Sequence, residues 1–483
     1  MRLTLYLFFL ISIPGFLRAQ APGEWTLERA VAYARENNLQ VRRLNNATEV
    51  ASLTLRQSRS NRMPSLNGGT SVNYLLGRSI DPTTNTFEAQ NIFSQGYQLQ
   101  GAVTIYDGGF LRNSIRQAEV DLEAAQTDAE VTGNDVGLLV ANSYLTILLT
   151  QEQLANARVQ LSLIDSQLVN TDAQIRAGSL PAAQRYDLVA QQASNQRTVV
   201  ELENQVDLAL LDLQLLLELD PSDNFAIQNP VNDAYDEELL FADYDLQTVL
   251  SSARQTQPSI RAAELRRTSA EIARDIARSG LRPSLSLFAN LSSNYSSLAK
   301  DFANPDNSQA ELVQGPAIPV VIGGQETTIS NFSQTGIVFP NLPYFAQLDQ
   351  NFSQSIGMSL QVPIYNQSRN RIAIQRAEVQ QLGTEIEVAQ AENQLRSDIE
   401  RALGDLRAAR QTYRAAQVSL DAAQRAYDVA DRRYTAGAAN SLDLTTAANR
   451  LEQARTEMTR TKYQLIFNRE VIQFYLGEPL TLN

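Results

Sequence analysis

The sequence has no cysteine, no histidine and a single tryptophan among 483 residues. Without cysteine there is no disulfide framework and no thiolate metal site. Without histidine the commonest general base and metal ligand are missing. Carboxylate-only catalysis stays formally open, but no cluster of Asp and Glu on loops marks such a site. No catalytic residue, metal ligand or cofactor is therefore expected. Positive charge is also short: 40 Lys and Arg against 53 Asp and Glu leave a net charge of −13, the reverse of a nucleic-acid-binding footprint. Beyond the first residues no apolar run is long enough to cross a bilayer as a helix. The nearest, Leu208 to Leu217, is interrupted by Asp212 and Gln214. If this chain enters a membrane it must do so as a closed barrel, because only helices and barrels satisfy their backbone there.

What is present begins with Met1-Arg2, an apolar run from Leu3 to Ile13, a Pro14-Gly15 break, and small residues at Ala19 and Ala21. That order predicts a secretory signal peptide over 1–19, cut after Ala19. The run falls short of the ~20 residues of an anchor helix. No cysteine follows it, so a lipid anchor on a mature N-terminal Cys is not expected.

Comparing the chain with itself reveals a tandem repeat. Trp25-x-Leu27 matches Tyr244-x-Leu246, Pro64-Ser65-Leu66 matches Pro283-Ser284-Leu285, and Val103-Thr104-Ile105-Tyr106 matches Val362-Pro363-Ile364-Tyr365. Ala118-Glu119-Val120 then matches Ala377-Glu378-Val379, and Ala177-Gly178 matches Ala436-Gly437. The predicted organisation is a first repeat over 20–219, an Asp/Asn/Pro-rich linker over 220–243, and a second repeat over 244–483. Each repeat reads as an amphipathic helix (about 27–59 and 246–279), two strands, a very long helix (about 111–176 and 369–434), a Gly-containing turn and a final helix. At ~1.5 Å per residue each long helix would measure on the order of 100 Å. Alanines such as Ala402, Ala409, Ala416 and Ala423 fill much of its apolar stripe, as in closely packed coiled coils.

The four strands are expected at about 64–76, 96–106, 283–295 and 353–365. Leu66, Gly68, Thr70, Val72, Tyr74 and Leu76 share one face of the first; Ile356, Met358, Leu360, Val362 and Ile364 share one face of the fourth. Small polar residues take the other faces, with Leu75 and Phe288 as apolar exceptions. A soluble sheet with one wet face shows the same alternation, but the signal peptide and long helices favour the apolar-out, polar-in pattern of a membrane barrel. Four strands cannot close a barrel, whose smallest versions have about 8, and open edges are intolerable in lipid. Identical copies must supply the remainder, and three copies giving twelve strands is a natural closure.

The repeat, the Pro-Ser-Leu strand starts and the junction Ile105-Tyr106-Asp107-Gly108-Gly109 together resemble the outer-membrane efflux protein family of TolC type, over essentially the whole chain from Trp25 to Pro479. The junction Ile364-Tyr365-Asn366-Gln367-Ser368-Arg369 is a degenerate copy of the same element. The loop Gly77-Arg78-Ser79-Ile80-Asp81-Pro82 looks like the Bacteroidetes variant. The resemblance implies a mostly α-helical homotrimer in the cell outer membrane, with a twelve-stranded transmembrane β-barrel and a long periplasmic α-helical barrel. It also implies a passive export duct docked to a periplasmic adaptor and an inner-membrane transporter. The family's adaptor-docking turns match Ala177, Gly178, Ser179 and Leu180, and Ala436, Gly437, Ala438 and Ala439. Its periplasmic gate positions match Asp187, Asp443 and Tyr434.

This sequence departs from the family at Thr446, where a second gate carboxylate would stand, and at Ala439. The first turn reads as carrying about three extra residues, including Pro181. Asp443 can instead serve the positive end of its own helix behind a Ser441 N-cap, and Gly178 and Gly437 terminate helices on any reading. Tyr106 and Tyr365 suit either a membrane interface or packing at the barrel-to-helix junction. Gly323-Gly324 in the long second loop (about 296–350) is expected at a hairpin tip. The competing function is a periplasmic coiled-coil adaptor without a pore, for which two complete hairpins, each preceded by paired strands, would be one too many.

Overall fold

The computed structural model describes residues 24–80, 85, 87–88, 91–222, 225–229, 243–436, 438–439 and 441–481. The expected signal peptide, most of the linker, part of the Gly77–Pro82 loop and Gly437 lie outside the described residues. The chain divides into two compact units, one drawn from Met1–Ser52, Val120–Ser269 and Gln381–Asn483, the other from Leu53–Glu119 and Ala270–Gln380. Each takes segments from both repeats.

The elements follow the duplicated plan. The first half runs through α1 (Leu27–Asn37), α2 (Leu39–Ser60), β1 (Ser65–Leu75), the two-residue strands β2 (Ser79–Ile80) and β3 (Phe87–Glu88), β4 (Ile92–Tyr106), α3 (Phe110–Arg176) and α4 (Ala183–Leu216). The second half runs through α5 (Leu246–Thr256), α6 (Pro258–Ser279), β5 (Ser284–Ser296), four short strands β6 (Glu311–Gln314) to β9 (Phe332–Thr335), α7 (Tyr344–Gln350), β10 (Ser353–Gln361), α8 (Arg369–Thr435) and α9 (Ser441–Leu476). Both long helices contain 67 residues and start 259 positions apart.

The single opening helix expected in each half is instead two helices, broken at Asn38 and at Gln257, whose ψ angles of 134° and 124° leave the helical region. Each break is used: the Asn38 amide donates to Leu216 O at 3.0 Å and the Gln257 amide to Phe474 O at 3.1 Å. The two side chains cap orphan carbonyls at the ends of α4 and α9. Pro258 then opens α6 at a position where its missing N–H costs nothing.

The first unit holds the main apolar core, in which Tyr144, Leu148, Leu213, Ile399, Leu406 and Ile466 are fully buried. The Tyr144 hydroxyl donates to Trp25 O at 2.8 Å; burial raises its pKa. Trp25 also bridges in parallel to Ile227, tying the N-terminal segment to the residues after α4.

The second unit is built on an antiparallel sheet of order β1-β4-β5-β10. The long loop after β5 carries two more hairpin sheets, β6-β9 and β7 (Ile318–Ile322) with β8 (Gln325–Ile329). The latter turns on Gly323 and Gly324 at φ 64° and 86°, the two positive values that a tight type I′ hairpin demands.

Candidate functional site: the sheet faces and the helical turns

The register of the sheet decides what its faces are. Leu66, Gly101, Ala289 and Ile356 form one row across the four strands, and Val103, Leu287 and Met358 another; Asn67, Gln100, Asn290 and Ser355 form a polar row flanking the first. The apolar sets of all four strands thus fall on a single face and the polar sets on the other. A slip of one residue in any pairing would have scrambled this. On the apolar face Leu66, Val72, Ile356, Met358 and Leu360 are exposed. Among the described residues both edge strands, β1 and β10, have an unpaired side.

Phe288 is the apolar exception on the polar face, and its row explains it. It shares that row with Ser65, Ala102 and Gly357, and its ring lies so close over Gly357 that a Cβ there would sit 2.6 Å from the ring carbon Cζ. The large side chain occupies space vacated by the glycine.

Aromatic residues mark both ends of the apolar face. At the loop end are Tyr74, Phe93, Tyr97 and Tyr295, with the ring of Tyr344 of α7 tilted against that of Tyr295 at a centroid distance of 4.8 Å. Gln95, a polar residue on this face, is satisfied by the Tyr344 hydroxyl at 2.8 Å and the Tyr97 hydroxyl at 3.2 Å. At the helix end a β-bulge between Thr104 and Tyr106 brings Tyr106 opposite Leu285 on the apolar face. From Tyr97 to Tyr106 there are eight ladder steps; at ~3.4 Å each and a tilt of ~40° they span about 21 Å, near the ~25 Å apolar band of a membrane barrel. Tyr106 is therefore placed as an interface aromatic would be.

The strand-to-helix junctions are copies in backbone conformation. Gly108 and Gly109 have positive φ, and 259 positions later so do Gln367 and Ser368. In the first copy Asp107 caps α3, accepting from Gly109 N at 3.0 Å and Leu111 N at 2.7 Å. Matching ion pairs brace the two copies: Arg59–Glu119 at 2.9 Å and Arg278–Glu378 at 3.3 Å.

At the far turns, Gly178 N donates to Ile175 O and Ser179 N to Gln174 O, both at 3.0 Å, with φ of 74° at Gly178. This is a Schellman stop. After α8 the matching bond runs from Ala438 N to Arg433 O at 2.8 Å. Ala177, Ser179, Ala436 and Ala438 are exposed; Leu180, Ala439 and Tyr434 are half-buried. Arg185 braces the first turn through a 3.0 Å ion pair to Asp172, a contact the sequence did not suggest.

The expected extra residues in the first turn are not there in net count. The next Schellman stops pair Leu219 N with Gln214 O and Glu478 N with Gln473 O, so 40 residues separate Gln174 from Gln214 and 40 separate Arg433 from Gln473. In this register Asp187 aligns with Thr446 and Asp443 with Gln184. The two carboxylates, both exposed, are not repeat equivalents; they stand three residues apart along matching helices, about 4.5 Å of rise. Ser441 is the first residue of α9, and Asp443 lies in its first turn.

A family model described as outer membrane efflux protein matches residues 31–218 and 249–478. The pyoverdine export outer membrane protein OpmQ of Pseudomonas aeruginosa is 30% identical over 251 residues, which is 50% of this chain and 51% of OpmQ, so the match spans about half the length of that relative. A crystal structure of CusC superposes with a TM-score of 0.72 at 18% identity, covering 98% of this chain and 99% of CusC. VceC from Vibrio cholerae gives 0.69 at 14% identity over 94% and 96%, and CmeC from Campylobacter jejuni 0.69 at 17% over 95% and 87%.

Proposed function

This chain belongs to the outer membrane efflux protein family, and on that premise we propose that three copies close into a twelve-stranded barrel forming the exit duct of a tripartite efflux or type I secretion system. The family is one of efflux proteins rather than enzymes. The observation that carries the reading is the sheet: a two-faced surface with aromatic ends and two unpaired edges. In the order β1-β4-β5-β10 with antiparallel pairing throughout, β1 and β10 run in opposite directions. The edge of one copy therefore meets the edge of the next as an antiparallel pair, and a closed ring has no exposed border. The apolar face meets lipid, and the polar face lines a water-filled pore.

Solutes enter from an inner-membrane transporter through a periplasmic adaptor, which docks on the turns at Ala177–Leu180 and Ala436–Ala439. The duct itself is passive. Asp187, Asp443 and Tyr434 contribute to the periplasmic gate. Three-fold repetition would turn each aspartate into a ring of carboxylates that attracts cations, the two rings lying at different levels.

The test is purification of the full chain in detergent, followed by mass measurement and planar-bilayer recording. A trimer with stepwise conductance is expected. A freely soluble monomer without conductance would overturn the reading.

A further inference from the structure

The first strand-to-helix junction holds a cavity of about 540 Å³ lined by three arginines, Arg62, Arg112 and Arg282. They come from three places: the turn after α2, the first turn of α3, and the turn between α6 and β5. In a chain with a net charge of −13, three cations around one hollow call for a ligand. Among the described residues neither Arg62 nor Arg112 pairs with a carboxylate, and Arg282 donates to the Gly108 carbonyl at 2.8 Å. The one carboxylate in the cavity, Asp107, is occupied by the N–H groups of Gly109 and Leu111. Those bonds also consume donors at the start of α3, so the attraction for an anion comes from the arginines.

The junction is shaped around Arg282. A Cβ on Gly108 would sit 2.7 Å from Arg282 Cβ and 2.8 Å from Ser279 O. The other wall is apolar, made by Ile105, Tyr106 and Leu111, with Ile105 55% and Tyr106 49% exposed. Tyr106 stands at the last row of the apolar face, opposite Leu285. A ligand that fits both walls has an anionic head, suited to the guanidinium fork, and an apolar body.

We propose that this cleft binds the phosphate-bearing headgroup of an anionic phospholipid where the apolar face ends. The proposal rests on the reading that this face meets lipid. The basic border is not duplicated in full: Arg371 stands at the repeat position of Arg112, but Leu281 stands at that of Arg62, and Met63 at that of Arg282. The expected stoichiometry is one lipid per chain.

The experiment uses the full chain, purified and delipidated in detergent, and native mass spectrometry with added phosphatidylglycerol, phosphatidylcholine or inorganic phosphate. Phosphatidylglycerol should be retained up to one per chain and in preference to phosphatidylcholine. Arg62→Gln with Arg112→Gln should weaken its retention about tenfold or more, the value of one lost charge-assisted hydrogen bond, with the trimer mass unchanged. Arg62→Lys with Arg112→Lys should keep more of it than the Gln pair. Unchanged retention in the Gln pair, equal loss in the Lys pair, or equal retention of phosphatidylcholine would overturn the proposal. Displacement of the lipid by an equal concentration of inorganic phosphate would reassign the cleft to a free anion and overturn it too. A wild-type chain that is not trimeric would instead defeat the duct reading.

Discussion

Glu218 holds the same left-handed backbone conformation as Gly477, 259 positions later, at φ 57° against 92°. Each closes a Schellman stop, with Leu219 N bonded to Gln214 O and Glu478 N to Gln473 O. The hydrogen-bonded shape of the stop survives in both halves, while only one half keeps the residue that adopts it without strain.

Glu218→Gly should therefore stabilise the protein, by about 1 kcal/mol, the cost of a left-handed conformation with a Cβ. Gly477→Ala should destabilise it, because a Cβ there would lie 2.8 Å from Thr256 Cγ2. Paired chemical denaturation curves check both signs; equal midpoints for Glu218→Gly and wild type would count against the strain.

Closure between copies can be read out cleanly because the chain has no cysteine. A cysteine at Thr70 on β1, combined in turn with one at each position from Ser355 to Gln361 on β10, should give a covalent trimer under oxidation at one or two β10 positions. Non-reducing gels decide. No cross-linked trimer at any position would exclude pairing of these two edges.

Phe288→Ala should enlarge single-channel conductance, since its ring lies on the polar face above Gly357. With 39% of the residue exposed, the cost should stay below the ~3–5 kcal/mol of a fully buried ring. A conductance identical to wild type would remove Phe288 from the pore lining.

Asp443→Ala should weaken block of single-channel current by divalent cations, and Asp187→Ala should do so independently, since the two side chains occupy different helical levels. Current recorded over a range of divalent concentrations measures the shift. An unchanged block in Asp443→Ala rejects its place in the conduction path.

Glu470, 2% exposed, has its pKa pushed up to about 7 by burial, opposed by Arg469 and by a backbone hydrogen bond from Thr481, with Glu478 adding to the rise. The folded state therefore holds this proton more tightly than the unfolded chain, with its ordinary carboxylate. Stability should fall as pH rises from about 4.5 to about 7 and then level off, by about 3 kcal/mol for this group. Melting of wild type and Glu470→Gln at pH 5 and pH 8 should show a smaller pH dependence in the variant.

The strands and long helices were legible because each carries a period of two or of three to four over many residues, and the duplication gave every anchor a second witness. Phe288 was legible as an anomaly, but its partner Gly357 was not, since the pairing of β5 with β10 spans a long loop. The breaks at Asn38 and Gln257 were hidden because apolar periodicity continues across them; Pro258 was the available signal. The equal spacing of the two turns was not legible, because the flanking Schellman stops are fixed by backbone hydrogen bonds that composition does not reveal. The arginines around the junction cavity lie 50 to 220 positions apart in sequence, and only the fold assembles them.

The bare flanks of β1 and β10 constrain how such a protein can be made. A solitary copy offered to a bilayer would bring two rows of amide groups into hydrocarbon with nothing to bond them. If three copies close the barrel as proposed, their recruitment comes before insertion, while water still solvates those rows. The helical arms, whose apolar stripes need no lipid, are the parts able to find each other first, so the soluble portion would dictate the schedule on which the membrane portion is built.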